Sequence, residues 1–350
     1  VHSPLCICRN GYVPLPEFVS RTRVQQIGSM QDTDNHISSF DGCCAQGATP
    51  CDIYACKDGR QRPTVLTVAG SDSIGGAGIQ ADIKACMALG VFTMTAITAV
   101  TSQNTVGVRS YLNVGAESVR AQLEAVFDDV RPDAVKIGMV PDGATAVAIA
   151  EVLARRYAGP VVLDPVAVAT SGDRLSDDSA AAEMVRRLFP MATVVTPNIP
   201  EASMLTGMDI ATRADMESAA RAIIRRYGCR AVLLKGGHLV SDLSMQAIDK
   251  EQGITPTTST HTAKSDVEHT VDILVQSADV PARVFEGPVV HTPNTHGTGC
   301  TLSSAIAAYL SRGYTLEDAV AGAKARLTEA LRAGADYRFG HGHGPALLIW

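Results

Sequence analysis

The stretch that decides the fold is 64–78, which reads TVLTVAGSDSIGGAG. Its first six residues, Thr64–Ala69, are apolar or β-branched, which is typical of a strand buried in a parallel sheet. A turn follows at 70–73, and the glycine-rich run Gly75–Gly78 then leads into apolar side chains at helical spacing, Ile79, Ile83, Cys86 and Leu89. The stretch therefore predicts a strand, a tight turn and a helix.

Strands and helices alternate in the same way as far as about residue 335. Apolar, β-branched runs predict strands at 93–100, 134–138, 161–164, 193–196 and 231–235. Helical spacing predicts helices at 116–130, 144–157, 180–189, 215–227, 301–310 and 315–333. Two further runs, 271–275 and 283–290, indicate antiparallel strands. This alternation predicts an α/β fold with a mainly parallel sheet and helices on both faces.

Composition divides the chain into an N-terminal extension, 1–62, and one domain, 63–350. The extension mixes Gly, Pro, Ser, Asp and Asn without a sustained period, so we expect it to be poorly ordered. Within the domain, the segment 241–270 is polar and rich in Ser and Thr. We expect a long, mobile surface loop there.

The charge balance limits the partners of the chain. Of its 350 residues, 46% are hydrophobic, and its net charge of −6 gives no basic field for nucleic acid or an anionic membrane. No apolar run is long enough to cross a bilayer. We therefore expect a small-molecule substrate, with neither nucleic acid nor a membrane as partner, and any phosphate site has to be built locally.

Cysteine usage and the N-terminal sequence indicate a reducing compartment. Six of the nine cysteines lie in the first 56 residues, and the other three, Cys86, Cys229 and Cys300, are far apart, which is not typical of a disulfide framework. The N-terminal sequence lacks the charged and apolar segments of a signal peptide. We expect a cytoplasmic protein in which Cys86 and Cys229 are small core residues.

Residues 294–300, NTHGTGC, offer a place for an anion. A helical apolar pattern starts directly after them, so Gly297 and Gly299 would lie where a helix begins. The first N–H groups of a helix lack partners within it, and the helix dipole adds positive charge there, which favours a phosphate. Cys300 would lie in the first turn, where a thiol pKa tends to fall, as a base or a nucleophile. The other interpretation is a packed turn with a structural cysteine.

Polar side chains follow the predicted strands at the ends where ligands bind in α/β sheets. These residues are Asp72, Gln103, Lys136, Asp164, Asn198, Glu201 and Lys235. Because the carboxyl ends of parallel strands meet at one edge of a sheet, we expect these side chains to lie close together and near Cys300. Their shared placement is a stronger signal than any one of them.

Two of these carboxylates indicate a magnesium site. Asp164 follows a buried strand, and Glu201 lies in the first turn of a helix, so the pair could supply hard oxygens to Mg²⁺. Glu201 could equally complement the helix dipole. Lys235 could contact a phosphate or simply end a strand in solvent.

The remaining candidates each have two interpretations. Asp82 lies near the inner face of the first helix and could bind a ligand amine or cap a surface. The run Gly75–Gly78 could approach a small ligand or form a tight turn, and it lacks the Gly-x-Gly-x-x-Gly spacing of nicotinamide enzymes. His296 and His341 could be polar liners of a site, but exposed loop histidines are the favoured interpretation. The chain has no Gly-x-x-x-x-Gly-Lys-[Ser/Thr] motif and no Gly-x-Ser-x-Gly motif, which excludes P-loop enzymes and weakens a hydrolase hypothesis.

Several motifs, taken together, carry a family resemblance. They are AGSDSIGGAGIQAD at 69–82, QNT at 103–105, KIGM at 136–139, VLDPV at 162–166, SGD at 171–173, TPNIPEA at 196–202, KGGH at 235–238, NTHGTGCT at 294–301 and GHGHGP at 340–345. In this order they resemble the hydroxymethylpyrimidine/phosphomethylpyrimidine kinases of thiamine biosynthesis, which belong to the ribokinase-like superfamily. Residues 1–62 have no counterpart in that pattern, and the tract 241–270 is longer than usual.

The resemblance implies a three-layer α/β/α sandwich and a role for each matching residue. The pyrimidine pocket would be lined by Gly70, Asp82, Gln103, Met139 and Val166. ATP would be bound by Asp164, Asn198, Glu201 and Lys235, with Mg²⁺ on Asp164 and Glu201. The anion hole would be formed by Gly297, Thr298 and Gly299. Cys300 would be the base, at a position where many ribokinase-like sugar kinases have Asp.

The resemblance also implies a reaction. With ATP and Mg²⁺, such an enzyme phosphorylates 4-amino-5-hydroxymethyl-2-methylpyrimidine and then converts the monophosphate to the diphosphate. Three rivals remain open: a pyridoxine or pyridoxal kinase, a non-catalytic pyrimidine-binding regulator, and a transferase with Cys300 as covalent nucleophile. A homodimer is a further expectation.

Overall fold

The computed structural model describes residues 5–8, 11–14, 62–166, 177–237, 269–277 and 279–348. The chain forms two compact units, 1–52 and 53–350. In the first unit, strands β1 (Leu5–Cys8) and β2 (Gly11–Pro14) pair antiparallel. The poor order expected for 1–62 stays a prediction, because most of that segment lies outside the described residues.

The second unit is built on a sheet to which the described residues contribute nine strands. They are β3 (Thr64–Asp72), β4 (Phe92–Gln103), β5 (Val108–Asn113), β6 (Ala134–Ile137), β7 (Val161–Leu163), β8 (Val194–Val195), β9 (Val232–Lys235), β10 (His269–Val275) and β11 (Arg283–Pro288). Their order across the sheet is β11-β10-β9-β8-β7-β6-β3-β4-β5. The six strands from β9 to β4 are parallel, whereas β5, β10 and β11 are antiparallel to their neighbours. The predicted mainly parallel sheet is therefore confirmed.

Helices cover both faces of the sheet. They are α1 (Gly78–Met87), α2 (Ala116–Asp129), α3 (Gly143–Arg156), α4 (Asp178–Glu183), α5 (Ile199–Thr206), α6 (Arg213–Tyr227), α7 (Thr298–Ser311) and α8 (Leu316–Gly334). The single helix predicted at 180–189 instead continues from α4 as a π-helical turn, Met184–Leu188, and a 3₁₀ turn, Phe189–Met191. Pro190 lies in the 3₁₀ turn and has no N–H to continue an α-helical ladder.

Two apolar cores lie on opposite faces of the sheet, because successive side chains of a strand point to opposite faces. In β3, Leu66 packs into the core beneath α2 to α6, and Val65 packs into the core beneath α1, α7 and α8. In β9, Leu234 and Leu233 divide in the same way. The result is three layers, helix, sheet and helix.

Strand β5 is an element that the sequence did not predict. Its four central residues are exposed and only its two ends are half-buried. An edge strand with little burial on either face leaves no alternation of apolar and polar residues to detect.

The range predicted for the loop, 241–270, extends two residues too far at its C-terminal end. His269 and Thr270 belong to β10, where they pair with Pro288 and Gly287 of β11. The rest of that range lies outside the described residues.

Candidate active site

A cavity of about 850 Å³ opens at the carboxyl ends of the parallel strands. Its lining contains every residue to which the family resemblance assigns a role, except Asp82: Gly70, Gln103, Met139, Asp164, Val166, Asn198, Glu201, Lys235, Gly297, Thr298, Gly299 and Cys300. Lys136, which was expected at the same edge of the sheet, does not line the cavity. The structure therefore brings together side chains that are far apart in the sequence. The roles assigned to them stay predictions.

One end of the cavity is an apolar slot with an amide group. Met139 lies against Gly70. A Cβ atom on Gly70 would come 2.8 Å from Met139 Sδ, so only glycine fits at position 70 without displacing the methionine. Thr98 donates through Oγ1 to the carbonyl of Met139 over 2.7 Å and holds this wall in place. Gln103 ends β4, and the Ser73 hydroxyl bonds both its N–H and its carbonyl. This end suits a small flat ring with polar edges.

Asp82 lies outside the cavity lining. Its side chain is fully buried, and Lys136 donates to both of its carboxylate oxygens, over 2.8 and 3.0 Å. Thr67 and Ser304 donate their hydroxyls to the same carboxylate. Burial disfavours the charge of Lys136, but Asp82, Cys300 and Asp164 together outweigh burial and raise the pKa of the ammonium above its ordinary value. Asp82 and Lys136 thus form a buried ion pair beneath the cavity.

A second ion pair lies in the middle of the cavity. Lys235 Nζ donates to Asp164 Oδ1 over 2.9 Å, and the Thr196 hydroxyl donates to the same oxygen over 2.9 Å. Burial would raise the pKa of Asp164, but Lys235 and Lys136 lower it below its ordinary value. Burial would lower the pKa of Lys235, but Asp164 and Glu201 raise it. Both groups are therefore charged at neutral pH, and Lys235 does not end in bulk solvent.

Asn198 and Glu201 fix the start of helix α5. The N–H of Glu201 donates to Asn198 Oδ1 and the N–H of Asn198 donates to Glu201 Oε2, both over 2.8 Å. This reciprocal capping box satisfies two backbone donors that a helix start leaves unpaired. It also directs both side chains to the cavity rim next to Lys235, with which Asn198 forms an isolated β-bridge.

Helix α7 begins at Thr298 with its first turn facing the cavity. Gly297 precedes it with a φ of 75°, and within the described part of the chain no side chain caps the helix start. A Cβ atom on Gly297 would lie 1.8 Å from the carbonyl oxygen of Gly76, so this close approach requires glycine. A Cβ atom on Gly299 would lie 3.4 Å from both Asp164 Oδ2 and Lys235 Nζ. The first turn of α7 therefore meets the central ion pair, as an anion cradle requires.

The Cys300 thiol differs from the expectation of a lowered pKa. Burial raises its pKa to about 11, and Asp82 and Asp164 act in the same direction. Lys136 and a hydrogen bond from the N–H of Gly78 lower it, but less than burial raises it. The helix N-terminus does not outweigh desolvation here, so the free thiol is protonated at neutral pH.

His296 is a site residue that the sequence underestimated. It was predicted to be an exposed loop histidine, but its side chain is only 13% exposed and its Nε2 atom lies 2.9 Å from Asp72 Oδ2. Its position directly before Gly297 gave no hint of a partner 224 residues away. His341, predicted in the same way, is exposed.

The other end of the cavity combines apolar side chains with a third ion pair. Val290, Leu302, Leu327 and Leu331 form the apolar part of the lining. Lys324 of α8 donates to the carboxylate of Asp272, which also accepts from the N–H of Gly236 over 3.1 Å. These residues were not predicted, although a lysine at 324 within the apolar face of α8 was a detectable signal.

The carboxylates of the cavity fit a Mg²⁺ ion that a nucleotide also binds. Among the residues that the structure covers, no group of three or more His, Cys, Asp or Glu side chains could hold a metal ion. Asp164 and Glu201 supply two carboxylates on one cavity wall. Mg²⁺ commonly takes one or two carboxylates and completes its shell with phosphate oxygens and water. The donor set therefore suits an ion that arrives with a nucleotide.

The comparisons with known proteins identify the family. The family model described as phosphomethylpyrimidine kinase matches residues 72–347. The chain belongs to the phosphomethylpyrimidine kinase family. Family members are kinases, and the three-layer ribokinase-like fold implied by the motifs is confirmed by the arrangement of the sheet and by the solved relative below.

Three relatives place the chain within this family. It is 47% identical over 281 residues to a hydroxymethylpyrimidine/phosphomethylpyrimidine kinase of Rhizobium meliloti, which covers 80% of this chain and 94% of the relative. It is 45% identical over 284 residues to the thiamine biosynthesis bifunctional protein ThiED of Geobacter sulfurreducens, covering 81% of this chain but only 52% of that longer protein. The solved ADP complex of Bacillus subtilis pyridoxal kinase has a TM-score of 0.68 at 32% identity, covering 82% of this chain and 98% of that one.

No helix in the described parts of the chain is long and apolar enough to cross a membrane.

Proposed function

We propose that the chain is an ATP-dependent kinase that phosphorylates 4-amino-5-hydroxymethyl-2-methylpyrimidine and then its monophosphate to the diphosphate. One observation carries the proposal. A single cavity joins an apolar slot with an amide to the start of α7 and to the Asp164–Lys235 pair. An alcohol on a flat ring at one end and a triphosphate at the other would meet at that helix start.

The pyrimidine ring would lie in the slot formed by Gly70, Met139, Val166 and Gln103. Thioether and aliphatic groups would contact its faces, and the Gln103 amide would bond its polar edge. We do not assign Asp82 to this contact, because Lys136, Thr67 and Ser304 already hold its carboxylate. The 5-hydroxymethyl group would then point at the first turn of α7.

ATP would enter from the opposite end. Its base would occupy the apolar part lined by Leu302, Leu327 and Leu331, and its phosphates would pass Asn198, Glu201 and Lys235. Mg²⁺ bound with the nucleotide through Asp164 and Glu201 would neutralise part of the phosphate charge. Lys235 supplies a charged ammonium to the same phosphates.

The transfer itself needs little beyond alignment and charge stabilisation. The substrate hydroxyl oxygen would attack the γ-phosphorus in line while the bond from that phosphorus to the β-phosphate oxygen breaks and ADP leaves. The hydroxyl proton would pass to an oxygen of the transferred phosphoryl group, and the N–H groups of Gly297, Thr298 and Gly299 would bond the phosphoryl oxygens. Cys300 lies in the same turn. Because burial raises its pKa to about 11, it serves as a neutral thiol that orients the hydroxyl group, rather than as a ready thiolate base.

A second candidate is a pyridoxal or pyridoxine kinase, which the likeness to the Bacillus subtilis pyridoxal kinase favours. Both candidates phosphorylate a hydroxymethyl group on a six-membered aromatic ring. Comparing kcat/KM for the two alcohols with Mg–ATP tests the choice. A higher kcat/KM for the pyridine alcohol would overturn the pyrimidine assignment, and a lack of ADP release with every alcohol would favour a non-catalytic regulator.

We also propose that the chain forms a homodimer and that it is located in the cytoplasm. Apolar side chains where β5 pairs with β4 support self-association, since Leu112 is 68% and its register partner Val100 is 44% exposed. Light scattering coupled to size-exclusion chromatography tests it, and a monomeric mass at micromolar concentration would contradict it.

A further inference from the structure

The Asp72 carboxylate holds the loop that follows β3. Its Oδ1 atom accepts from the N–H of Ile74 over 2.9 Å, and its Oδ2 atom accepts from those of Gly76 and Ala77 over 2.9 and 2.7 Å. Burial opposes its charge, but the hydrogen bonds from His296, Gln103 and the backbone lower its pKa to about 2. At neutral pH the group is a carboxylate that only accepts hydrogen bonds.

His296 connects this loop to the anion cradle. Its Nε2 atom lies 2.9 Å from Asp72 Oδ2, and because a carboxylate only accepts, Nε2 carries the proton. The ring packs on Gly76, where a Cβ atom would lie 2.5 Å from its Cδ2 atom. The next residue, Gly297, presses on the carbonyl of Gly76. The two loops therefore touch through His296 and Gly297.

The backbone of His296 is fixed from the other side by the C-terminal tail. Its N–H donates to the carbonyl of Gly344 over 2.9 Å, and it forms an isolated bridge with Pro345. The tail is held in turn by Thr105, whose carbonyl accepts from the N–H of His343 over 2.8 Å. The backbone of His296 is thus held on one side, and the hydrogen bond to Asp72 holds its ring on the other.

We propose that His296 is a positioning residue. Its Nε2–H group donates a hydrogen bond to Asp72, and this bond keeps the Gly297–Gly299 N–H groups in line with the pyrimidine hydroxyl. The inference rests on the proposed kinase function. Small displacements of aligned groups cost rate rather than binding, of the order of 10²-fold. Loss of the bond should therefore lower kcat and leave KM nearly unchanged.

Two substitutions separate this role from the alternatives. His296→Phe keeps an aromatic ring on Gly76 but cannot donate, whereas His296→Gln keeps an N–H donor that can reach Asp72. We expect kcat to fall about 10²-fold in His296→Phe, with KM for both substrates changed by less than about threefold. His296→Gln should stay within about tenfold of the unsubstituted chain. The matched control is His269→Gln, since His269 is exposed on β10 and does not line the cavity, so its substitution should leave kcat unchanged.

Two kinetic outcomes would overturn the proposal. A kcat for His296→Phe within about threefold of the original means that ring packing suffices. An equal fall in both variants means that the imidazole acts on the substrate as an acid or base.

Amide hydrogen exchange tests the same proposal without turnover. In the full chain, His296→Phe should speed exchange in peptides covering 73–78 and 294–300, and His296→Gln should not. Unchanged exchange in His296→Phe contradicts the proposal even if no alcohol is phosphorylated. An inactive unsubstituted chain with the expected exchange pattern would instead contradict the kinase function alone.

Discussion

Lys235 Nζ lies 2.9 Å from Asp164 Oδ1, although 71 residues separate the two in the sequence. Lys235 ends β9 and Asp164 follows β7, and these two strands flank β8 in the sheet. Thr196, which follows β8, donates its hydroxyl to the same oxygen. Three neighbouring strands thus build one charged centre below the first turn of α7. The Asp164 carboxylate can bind a metal ion, and the Lys235 ammonium can bind a phosphate.

Asp164→Asn should abolish most turnover. The change removes a carboxylate and leaves the buried Lys235 ammonium without its counter-charge, so we expect kcat to fall by about 10²-fold or more. Steady-state kinetics measures it, with Asp128→Asn as control because Asp128 is on the surface and pairs with Arg156. Activity of Asp164→Asn within about threefold of the original would remove Asp164 from the site.

Gly299→Ala should damage transfer without damaging the fold. The added methyl group would make ordinary contacts at 3.4 Å with Asp164 Oδ2 and Lys235 Nζ, so it fits but occupies space meant for a phosphoryl oxygen. We expect kcat/KM for ATP to fall about tenfold or more, with little change in Tm. Calorimetry and initial rates check both halves. Unchanged kcat/KM would mean that the phosphoryl group is bound elsewhere.

Cys300 should contribute through position rather than through a thiolate. We expect Cys300→Ala to lower kcat by about 10²-fold while sparing pyrimidine binding, and Cys300→Ser to lose less because a hydroxyl can replace the hydrogen bond. With a thiol pKa of about 11, kcat of the original chain should be flat from pH 7 to 9. A rise of about tenfold per pH unit, absent in Cys300→Ala, would instead identify a thiolate base.

The strand ends are the part of the site that the sequence predicted well. Asp164, Asn198 and Lys235 each follow a run of apolar residues, so their place in the sheet depends only on parallel order. The glycines at 297 and 299 also indicated where α7 begins. Because the same glycines fit a packed turn, the role of this helix start as an anion cradle stays a prediction.

The remainder of the site depends on contacts between distant residues. Nothing near Asp82 in the sequence shows that Lys136 holds its carboxylate, and nothing near His296 shows Asp72. The pKa of Cys300 was predicted in the wrong direction, because burial by tertiary packing outweighs the local helix start. Periodicity detects burial of one face, so it also missed the exposed strand β5.

Removing one partner of the buried Asp82–Lys136 pair should destabilise the fold more than removing both. Lys136→Met leaves a fully buried carboxylate without its cation and should lower the free energy of unfolding by about 3–5 kcal/mol. The double variant Asp82→Asn with Lys136→Met should lose less, because no charge is left unpaired. Urea unfolding of both variants measures this. A double variant less stable than Lys136→Met would contradict the account.

Asp72 should make stability depend on acid pH. Its pKa is lowered in the fold to about 2, so its contribution is present above its unfolded pKa, near 4, and is lost as the pH falls toward 2. The shift corresponds to about 2 kcal/mol. Urea unfolding between pH 5 and 2.5 should show a shallower decline in Asp72→Asn than in the original chain. Parallel declines would place the titrating group elsewhere.

The most direct test of the central claim is the mass of the product. The full chain is incubated with 4-amino-5-hydroxymethyl-2-methylpyrimidine and Mg–ATP, and the products are followed by mass spectrometry with Asp164→Asn as control. The account predicts that the monophosphate appears first and is then converted to the diphosphate, with one ADP released for each step and neither product formed by the variant. An unmodified pyrimidine, or a monophosphate that forms equally with the variant, would contradict it.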